Sequence, residues 1–315
     1  MPETAPSRLV VVNPTAGGGK AQTKWTEIEV ILRSVYGQFE TKMTERSGDA
    51  ERFGEIATSD GTTEIIVVGG DGTLSEVVNG VFNANSQSGR RPMITPIPSG
   101  TGGDFRKTLE LSPDISDLGN QLRNGSPKPV DVGRITFFRD NGRTVTRHFL
   151  NIASFGLSGE VDKAVNAAKW PKRLGGRFTY AWCSLTALIR YKPKKVRLLI
   201  DETVDRLVHV NTVAVCNGQY FGGGMHVSPH SDISDGLFNV VAIEPEPILS
   251  GLKNANKLYN GTHLDQPNVS HWLGQMIQAT PADPDQAVWL DIDGEPLGTL
   301  PATFEILPAA LLVRF

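Results

Sequence analysis

The 315-residue sequence has little of what builds disulfide-rich, zinc-binding or strongly basic proteins. Its two cysteines, Cys183 and Cys216, are too few and too isolated for a disulfide framework or a cysteine-rich zinc site. We expect two reduced thiols. The net charge of −3 gives no overall basic character, which is the usual sign of a nucleic-acid-binding domain. We therefore expect no nucleic-acid partner.

Long apolar runs are also missing. No stretch reaches the roughly 18 consecutive apolar residues of a membrane-spanning helix. The polar start, Met1 to Ser7, lacks the apolar segment of a signal peptide. These features favour a cytoplasmic location and leave room for peripheral binding at the inner face of a membrane.

The length and composition indicate an ordinary globular protein with two domains. Apolar residues make up 39% and charged residues 21%, and 315 residues exceed what one hydrophobic core usually supports. We place the first domain at residues 1–129 and the second at residues 130–315. The last strand of the second domain could pack back on the first.

Strands and helices alternate through the first domain. The apolar spacing predicts strands at Arg8–Val12, Phe39–Thr44, Glu64–Val68 and Ile94–Ile97, and helices at Ala21–Tyr36, Asp49–Thr58 and Leu74–Phe82. This alternation predicts a parallel α/β sheet, in which ligands bind at the carboxyl ends of the strands.

Strand signals dominate from about residue 130. The Asn141-Gly142 pair favours a tight hairpin turn. Further strands are predicted at Val196–Ile200, Leu207–Cys216, Leu237–Ile243, Ala287–Ile292 and Ala302–Phe315, and helices at Arg177–Tyr191 and Ile248–Asn260. The second domain is therefore expected to be a mainly antiparallel β domain.

Three glycine-rich loops follow the predicted strands of the first domain, at Asn13–Lys20, Gly69–Thr73 and Pro98–Phe105. A strand, a glycine loop and a helix together point backbone N–H groups at a phosphate, and glycine lets the backbone come close. Asp71 is an acid in the middle of the second loop, which suggests a metal-binding or proton-transfer role. The simpler interpretation is a turn or helix-capping aspartate.

The motifs occur in the order of a known family. The sequence resembles the bacterial diacylglycerol kinase and sphingosine kinase type of lipid kinase, within the wider phosphofructokinase and NAD kinase-like group. The matching segments run from residue 13 to residue 295: Asn13–Gly17, Gly69–Gly80, Pro98–Phe105, Asp131–Gly133, Asn151–Gly156, Asn217–Met225, Ser234–Leu237 and Asp293–Glu295.

This resemblance implies a Rossmann-like nucleotide-binding domain followed by an antiparallel β-sandwich domain, with the active site in the cleft between them. It implies that ATP is bound by residues of the three loops and the end of the second strand. These residues are Asn13, Pro14, Thr15, Ala16, Gly17, Thr44, Gly69, Gly70, Asp71, Gly72, Thr73, Leu74, Ser75 and Thr101.

The resemblance assigns the role of proton acceptor to Glu295, next to the predicted Asp293-Gly294 turn. Asp71 is the rival, because the same aspartate is implicated in the wider group. We prefer Glu295 as the base, with Asp71 coordinating a metal or orienting the acceptor hydroxyl. Each also has a simpler interpretation, as an exposed hairpin carboxylate or a helix cap.

A Mg²⁺ site is implied at Asp232, Asp235 and Leu237, where a carboxylate and carbonyls could supply hard oxygen ligands. In the family, the acids that match Asp71, Asp104 and Asp131 are linked to this site through water. An ordinary Asp-Gly turn explains the same residues equally well.

One loop departs from the family pattern. The family usually has Asn before the aspartate of the third loop and often Thr or Ser before that, whereas this chain has Gly102-Gly103. Two side chains that could contact nucleotide or substrate are therefore missing, whereas binding of phosphate by the glycine loops relies on the backbone.

A basic and aromatic segment runs from Lys169 to Arg197, with nine Lys or Arg and no acids. Such a segment is typical of contact with a membrane surface, from which a lipid substrate would be taken. Most such helices instead bury the apolar face in the core.

We therefore expect an ATP-dependent lipid kinase that phosphorylates a hydroxyl of a diacylglycerol-like or sphingoid-like lipid. The alternatives are a kinase for a soluble alcohol or NAD-like substrate and a non-catalytic nucleotide-binding regulator. The lipid, the oligomeric state and the pathway are left open.

Overall fold

The computed structural model describes residues 7–85, 89–100, 103–139, 142–161 and 191–315. The chain forms two compact units. The first comprises Met1–Val132, His148–Leu150 and Leu307–Phe315, and the second comprises Gly133–Arg147 and Asn151–Ile306. We describe each unit by itself.

The first unit is the expected parallel α/β domain. Its elements are β1 (Arg8–Val12), α1 (Ala16–Tyr36), β2 (Glu40–Met43), α2 (Asp49–Ser59), β3 (Glu64–Gly69), α3 (Asp71–Asn83), β4 (Met93–Pro98), α4 (Asp104–Thr108) and α5 (Ile115–Asn124). The strands pair in the order β2-β1-β3-β4. The sheet is completed by the end of the last strand, where Val313 pairs in parallel with Ile94.

The core of this unit follows from its sequence pattern. The β-branched runs of β1 and β3 are buried on both faces, as strands covered by helices on each side require. On one side, Ile28 and Leu32 of α1 and Leu118 of α5 pack against these strands. Elsewhere in the unit, Gly54 of α2 lets α3 approach so closely that a Cβ there would lie 2.6 Å from the carbonyl oxygen of Val77.

The second unit is mainly antiparallel β structure, as expected. Its strands include parts of β5 (Pro127–Phe138), β6 (Thr144–Phe149) and β15 (Glu295–Arg314), which continue into the first unit. The other elements are β7 (Ile152–Gly156), β8 (Lys194–Ile200), β9 (Val204–Val210), β10 (Thr212–Cys216), β11 (Phe238–Ile243), α6 (Ile248–Asn260), β12 (Val269–Gly274), β13 (Met276–Pro281) and β14 (Trp289–Ile292). Antiparallel pairing joins β12-β11-β10-β7-β14 and the start of β15, and also β9-β8-β13.

One predicted strand is wrong in detail. The predicted strand Leu207–Cys216 is divided at Asn211, which ends β9 and precedes β10. The backbone of Asn211 donates to Ile243 and accepts from Leu157. The two halves of the apolar run therefore pair with different strands: β9 with β8, and β10 with β7 and β11.

The predicted helix Arg177–Tyr191 lies outside the described residues, apart from Tyr191. Within the described part of the chain, no helix is long and apolar enough to cross a membrane. Cys216 is buried in β10, and this burial raises the pKa of its thiol. The other cysteine falls outside the described residues.

Candidate functional site

The first glycine loop lies at the carboxyl end of β1 and is tied to the loop after β3. The amide of Asn13 donates to Thr73 Oγ1 over 2.9 Å, and its carbonyl Oδ1 accepts from the backbone and hydroxyl of Thr15. Gly17 has a φ of 66°, and a Cβ on it would collide with the carbonyl oxygen of Ser99. Glycine is therefore required at this position for both conformation and space.

The second and third loops touch through their backbones. The N–H of Ser99 donates to the carbonyl of Gly69 over 2.8 Å. A Cβ on Gly100 would lie 2.8 Å from the Cα of Gly70, closer than real side chains approach. The three loops form one layer of backbone at the carboxyl edge of the sheet, which is where ligands of open α/β sheets bind.

Asp71 begins α3 and lies beside Asp104. Its Oδ2 accepts the backbone N–H of Asp104 over 2.9 Å, and no side chain caps α3. Burial raises the pKa of the Asp71 carboxyl, and the charge of Asp104 adds to this rise. Backbone N–H groups of Asp104 and Phe105 and the charge of Lys107 oppose it. Asp71 thus does not cap its own helix α3; its carboxylate instead accepts N–H groups at the start of α4, from Asp104 and Phe105.

The remaining predicted nucleotide-site residues are placed differently. Thr44 follows β2 and donates its N–H to Val12 over 2.9 Å, which sets it at the same edge as Asn13. Leu74 and Ser75 are buried in the first turns of α3. Thr101 lies outside the described residues. Pro14, Ala16 and Gly72 are half-buried parts of the loops.

Two polar residues of the Gly69–Gly80 motif make structural hydrogen bonds that the sequence alone did not predict. Asn79 exchanges hydrogen bonds with the backbone of His148, donating to its carbonyl and accepting from its N–H, each over 2.9 Å. Glu76 accepts from Ser47 and from the backbone of Gly48 at the start of α2. Their position on α3, one turn apart, is the only sequence signal, and it does not reveal these distant partners.

Asp131 is buried with 1% of its surface exposed. Its Oδ1 accepts the N–H of Ala309 over 2.6 Å, and Ala309 has a positive φ of 49°. Both residues belong to the first unit. Asp131 therefore fixes an irregular point of the last strand.

In the second unit, Glu295 is the first residue of β15. The turn directly before it is held by hydrogen bonds of two aspartates. Asp293 Oδ1 accepts the backbone N–H groups of Asn151 and Ile152. Asp291 is 5% exposed; its Oδ1 accepts from Gly294 over 2.8 Å, and its Oδ2 accepts from the hydroxyl of Ser154. The half-buried Glu295 thus stands on a fixed turn.

The predicted metal ligands lie in a loop of the second unit. Asp232 and Asp235 are exposed. Asp232 Oδ1 accepts from the backbone and hydroxyl of Ser234, and Asp235 Oδ1 accepts the N–H of Leu237 over 2.9 Å. Among the described residues, no three His, Cys, Asp or Glu side chains form a metal-binding group.

The two halves of the chain match two family profiles. Residues 7–135 match the diacylglycerol kinase catalytic domain, and residues 151–315 match the YegS C-terminal NAD kinase beta sandwich-like domain. The chain belongs to this family of bacterial lipid kinases. It is therefore an enzyme, a phosphotransferase, and the family implies the use of ATP.

Named relatives are similar in sequence to this chain over most of its length. A diacylglycerol kinase of Mycobacterium tuberculosis (strain CDC 1551 / Oshkosh) is 27% identical over 84% of this chain and 81% of its own. A diacylglycerol kinase of Bacillus subtilis (strain 168) is 25% identical over 94% of this chain and 91% of its own.

Solved structures show the same fold. A diacylglycerol kinase structure from Bacillus anthracis str. Sterne superimposes with a TM-score of 0.71 at 23% identity, over 98% of this chain and 96% of its own. Yeast NADH kinase complexed with NADH gives a TM-score of 0.55 at 11% identity, over 99% of this chain and 83% of its own. At these identities the likeness concerns the fold alone. It supports the expected α/β domain followed by a β-sandwich.

Proposed function

We propose that this kinase transfers the γ-phosphoryl group of ATP to a hydroxyl of a lipid of the diacylglycerol or sphingoid class. The observation that carries the proposal is the layer of backbone formed by the three glycine loops. Phosphoryl transfer depends mainly on positioning and on neutralising charge, and a cradle of backbone N–H groups contributes to both. The named relatives support the choice of a lipid acceptor.

In this proposal the cradle at the carboxyl edge of the first unit binds the nucleotide. The hydrogen bond from Asn13 to Thr73 and the close approach of Gly70 and Gly100 shape it. The start of α3 adds its positive helix end to the phosphate site. Thr44 would lie beside the nucleoside, and Thr101 belongs to the same site by sequence.

The donor set at Asp232, Asp235 and Leu237 fits a hard cation, because the exposed Asp235 carboxylate and the backbone carbonyls of Asp232 and Leu237 supply only oxygen ligands. These residues would hold Mg²⁺. When bound there, Mg²⁺ would supply positive charge to this loop of the second unit.

Glu295 is the proposed base, which accepts the proton of the acceptor hydroxyl. The hydrogen bonds of Asp291 and Asp293 hold the turn before it, so its carboxylate is presented from a rigid support. Asp71, with its raised pKa, orients the hydroxyl or takes part in metal binding.

The test is transfer of radiolabelled γ-phosphate from ATP to a panel of extracted lipids, to NAD and to soluble alcohols. We expect label in a lipid and a loss of about 10²- to 10⁴-fold in kcat for Glu295→Gln, which cannot accept a proton. Glu202→Gln is the matched control, because Glu202 is an exposed carboxylate in another hairpin turn. Label in NAD or a soluble alcohol but in no lipid would overturn the lipid assignment. Equal activity of the two variants would overturn the role of Glu295.

We further propose that the lipid is taken from a membrane through the segment Lys169–Arg197, most of which lies outside the described residues. Neutralising Lys172, Arg173 and Arg177 is expected to weaken binding to anionic vesicles, because each basic residue near such a surface contributes about 1 kcal/mol. Unchanged sedimentation with vesicles at low salt would contradict this route.

A further inference from the structure

A cavity of about 220 Å³ in the first unit lies beside the nucleotide cradle. Its lining includes Lys20 of the first glycine loop and Pro98, Ser99 and Gly100 of the third, but none of the individual residues predicted to bind ATP. Its walls come from α1, the end of β4 and α5. Ile28, Ile97 and Leu118 provide an apolar floor, and Lys20, Lys24 and Arg106 provide three cations. The cavity therefore combines an apolar surface with excess positive charge.

The two lysines of the cavity are exposed. Lys20 and Lys24 are four residues apart on α1, where like charges destabilise a helix. In the described part of the chain, no acid forms an ion pair with either of them, and Asp114 is the single acid that lines the cavity. Arg106 donates to the carbonyl of Leu111, and its guanidinium keeps other N–H donors for a ligand.

We propose that this cavity binds a small phosphate monoester with an apolar substituent, distinct from the nucleotide, and that its occupancy changes nucleotide affinity. Three cations match a dianionic phosphate, and the apolar floor matches the substituent. The same ligand chemistry occurs in a short phosphorylated lipid and in a soluble phosphate ester.

The connection to the nucleotide site runs through Ser99 and Gly100, which form part of the cavity wall. Ser99 also donates to Gly69, and Gly100 packs on Gly70. A ligand that fixes Ser99 and Gly100 therefore acts on the backbone of the nucleotide cradle. This coupling rests on the proposed nucleotide site, whereas binding in the cavity does not.

The experiment measures binding by calorimetry to the full-length protein, with inorganic phosphate, phenyl phosphate and dihexanoyl phosphatidic acid as separate probes. We expect phenyl phosphate to bind more tightly than inorganic phosphate, because only the former covers the apolar floor. The variant Lys24→Glu is expected to weaken phenyl phosphate binding about tenfold or more. Arg123→Glu, the same charge change on an exposed residue of α5 outside the cavity, is the matched control.

A second titration measures ATP affinity with and without saturating phenyl phosphate. A shift of about fivefold or more in the wild type, lost in Lys24→Glu, supports the coupling. Equal effects of the two variants, or no phenyl phosphate binding, would overturn the cavity site. Strict competition with ATP would show that the anion occupies the nucleotide site and would overturn a separate one. Failure of ATP to bind would contradict the proposed function but leave the cavity measurement valid.

Tighter binding of dihexanoyl phosphatidic acid than of phenyl phosphate would identify the source of the ligand as a lipid headgroup. The reverse order would identify a soluble ester.

Discussion

The two edges of the parallel sheet in the first unit use polar groups in opposite ways. At the carboxyl edge, backbone and small residues leave a shaped surface that carries two acids: Asp71, whose pKa is raised, and Asp104, which pairs with Lys107 over 3.2 Å. At the amino edge, Glu64 is 2% exposed and contacts Arg8 over 2.8 Å, Thr95 over 2.7 Å and Arg314 over 3.4 Å. The first edge keeps an acid that burial disfavours, and the second neutralises its acid.

This difference fits the proposal that the carboxyl edge binds a ligand, whereas the paired acid at the amino edge has a structural role. Removing one partner of a buried ion pair is strongly destabilising, because it leaves an uncompensated buried charge. A buried acid with a raised pKa is a common feature of functional sites. The following predictions separate these two roles.

The largest effect is expected at Asp71. Asp71→Asn keeps an oxygen that can accept the N–H of Asp104 but removes the charge, and we expect turnover to fall about 10²- to 10⁴-fold. The exposed Asp60→Asn in the same unit is the control. Wild-type turnover in the Asp71→Asn variant would show that Asp71 is not part of the active site.

The same variant also has a pH signature. Because the pKa of Asp71 is raised on folding, the folded state binds more protons than the unfolded state. The wild type should lose stability relative to Asp71→Asn as the pH rises above about 4, the ordinary aspartate pKa. Thermal unfolding of both proteins at several pH values measures the difference in their melting temperatures, and a wild type that gains stability relative to Asp71→Asn as the pH rises would contradict this prediction.

The second effect is on stability at the amino edge. Glu64→Gln leaves two arginines without their carboxylate, and we expect a loss of about 3 kcal/mol in the free energy of unfolding. Glu40→Gln breaks only an exposed pair with Lys42 and should cost less than about 1 kcal/mol. Urea unfolding compares them. Below its melting temperature, the Glu64→Gln variant should turn over substrate at the wild-type rate. A large loss of turnover there would show that the amino edge also takes part in activity.

A smaller effect is expected in the first loop, where two glycines give a matched pair. Gly17 and Gly18 both have positive φ, so alanine at either position is strained. A Cβ added to Gly17 would collide with Ser99, whereas a Cβ added to Gly18 would have no atom within 4 Å. We expect Gly17→Ala to weaken ATP binding about tenfold more than Gly18→Ala, as overpacking typically costs 1–3 kcal/mol. Equal nucleotide affinities would show that the contact with Ser99 does not shape the cradle.

The smallest effect is at Tyr36, beside Glu64. Burial, and next the charge of Glu64, raise the pKa of its hydroxyl to about 12. Stability from the neutral hydroxyl should be lost as the pH rises from the ordinary tyrosine pKa of about 10 through 12. An ultraviolet titration of Tyr36→Phe should lack one late transition of the wild type. If the transition that Tyr36→Phe lacks lies near pH 10 instead, the hydroxyl of Tyr36 is not buried as described.

Much of the fold follows from the sequence because its signals are local. The β-branched runs of β1 and β3 and the apolar spacing of α1 fix element type in the first unit. The helix α5 was missed because its few apolar positions surround Gly119 in a polar segment. The strands β12 and β13 were missed because mixed polar residues and Gly274 interrupt their alternation.

The site is predictable only in part. The three loops are visible as glycine clusters after strands, and their meeting at one edge follows from parallel pairing. The contact between Asp71 and the backbone of Asp104 depends on how two loops approach, which no local pattern encodes. The role of Glu64 was missed for the same reason, since its partners Arg8 and Arg314 come from strands distant in sequence.

The return of Leu307–Phe315 to the first unit has a consequence for synthesis on the ribosome. Until these residues emerge, the β4 edge lacks its neighbour and Glu64 lacks Arg314. At about 5–20 residues per second, the delay after residue 132 is on the order of 10 seconds. During that time the unit has an open strand edge, the kind of surface that pairs with other chains. Late closure therefore leaves the nascent first unit open to edge-to-edge pairing until its last strand is in place.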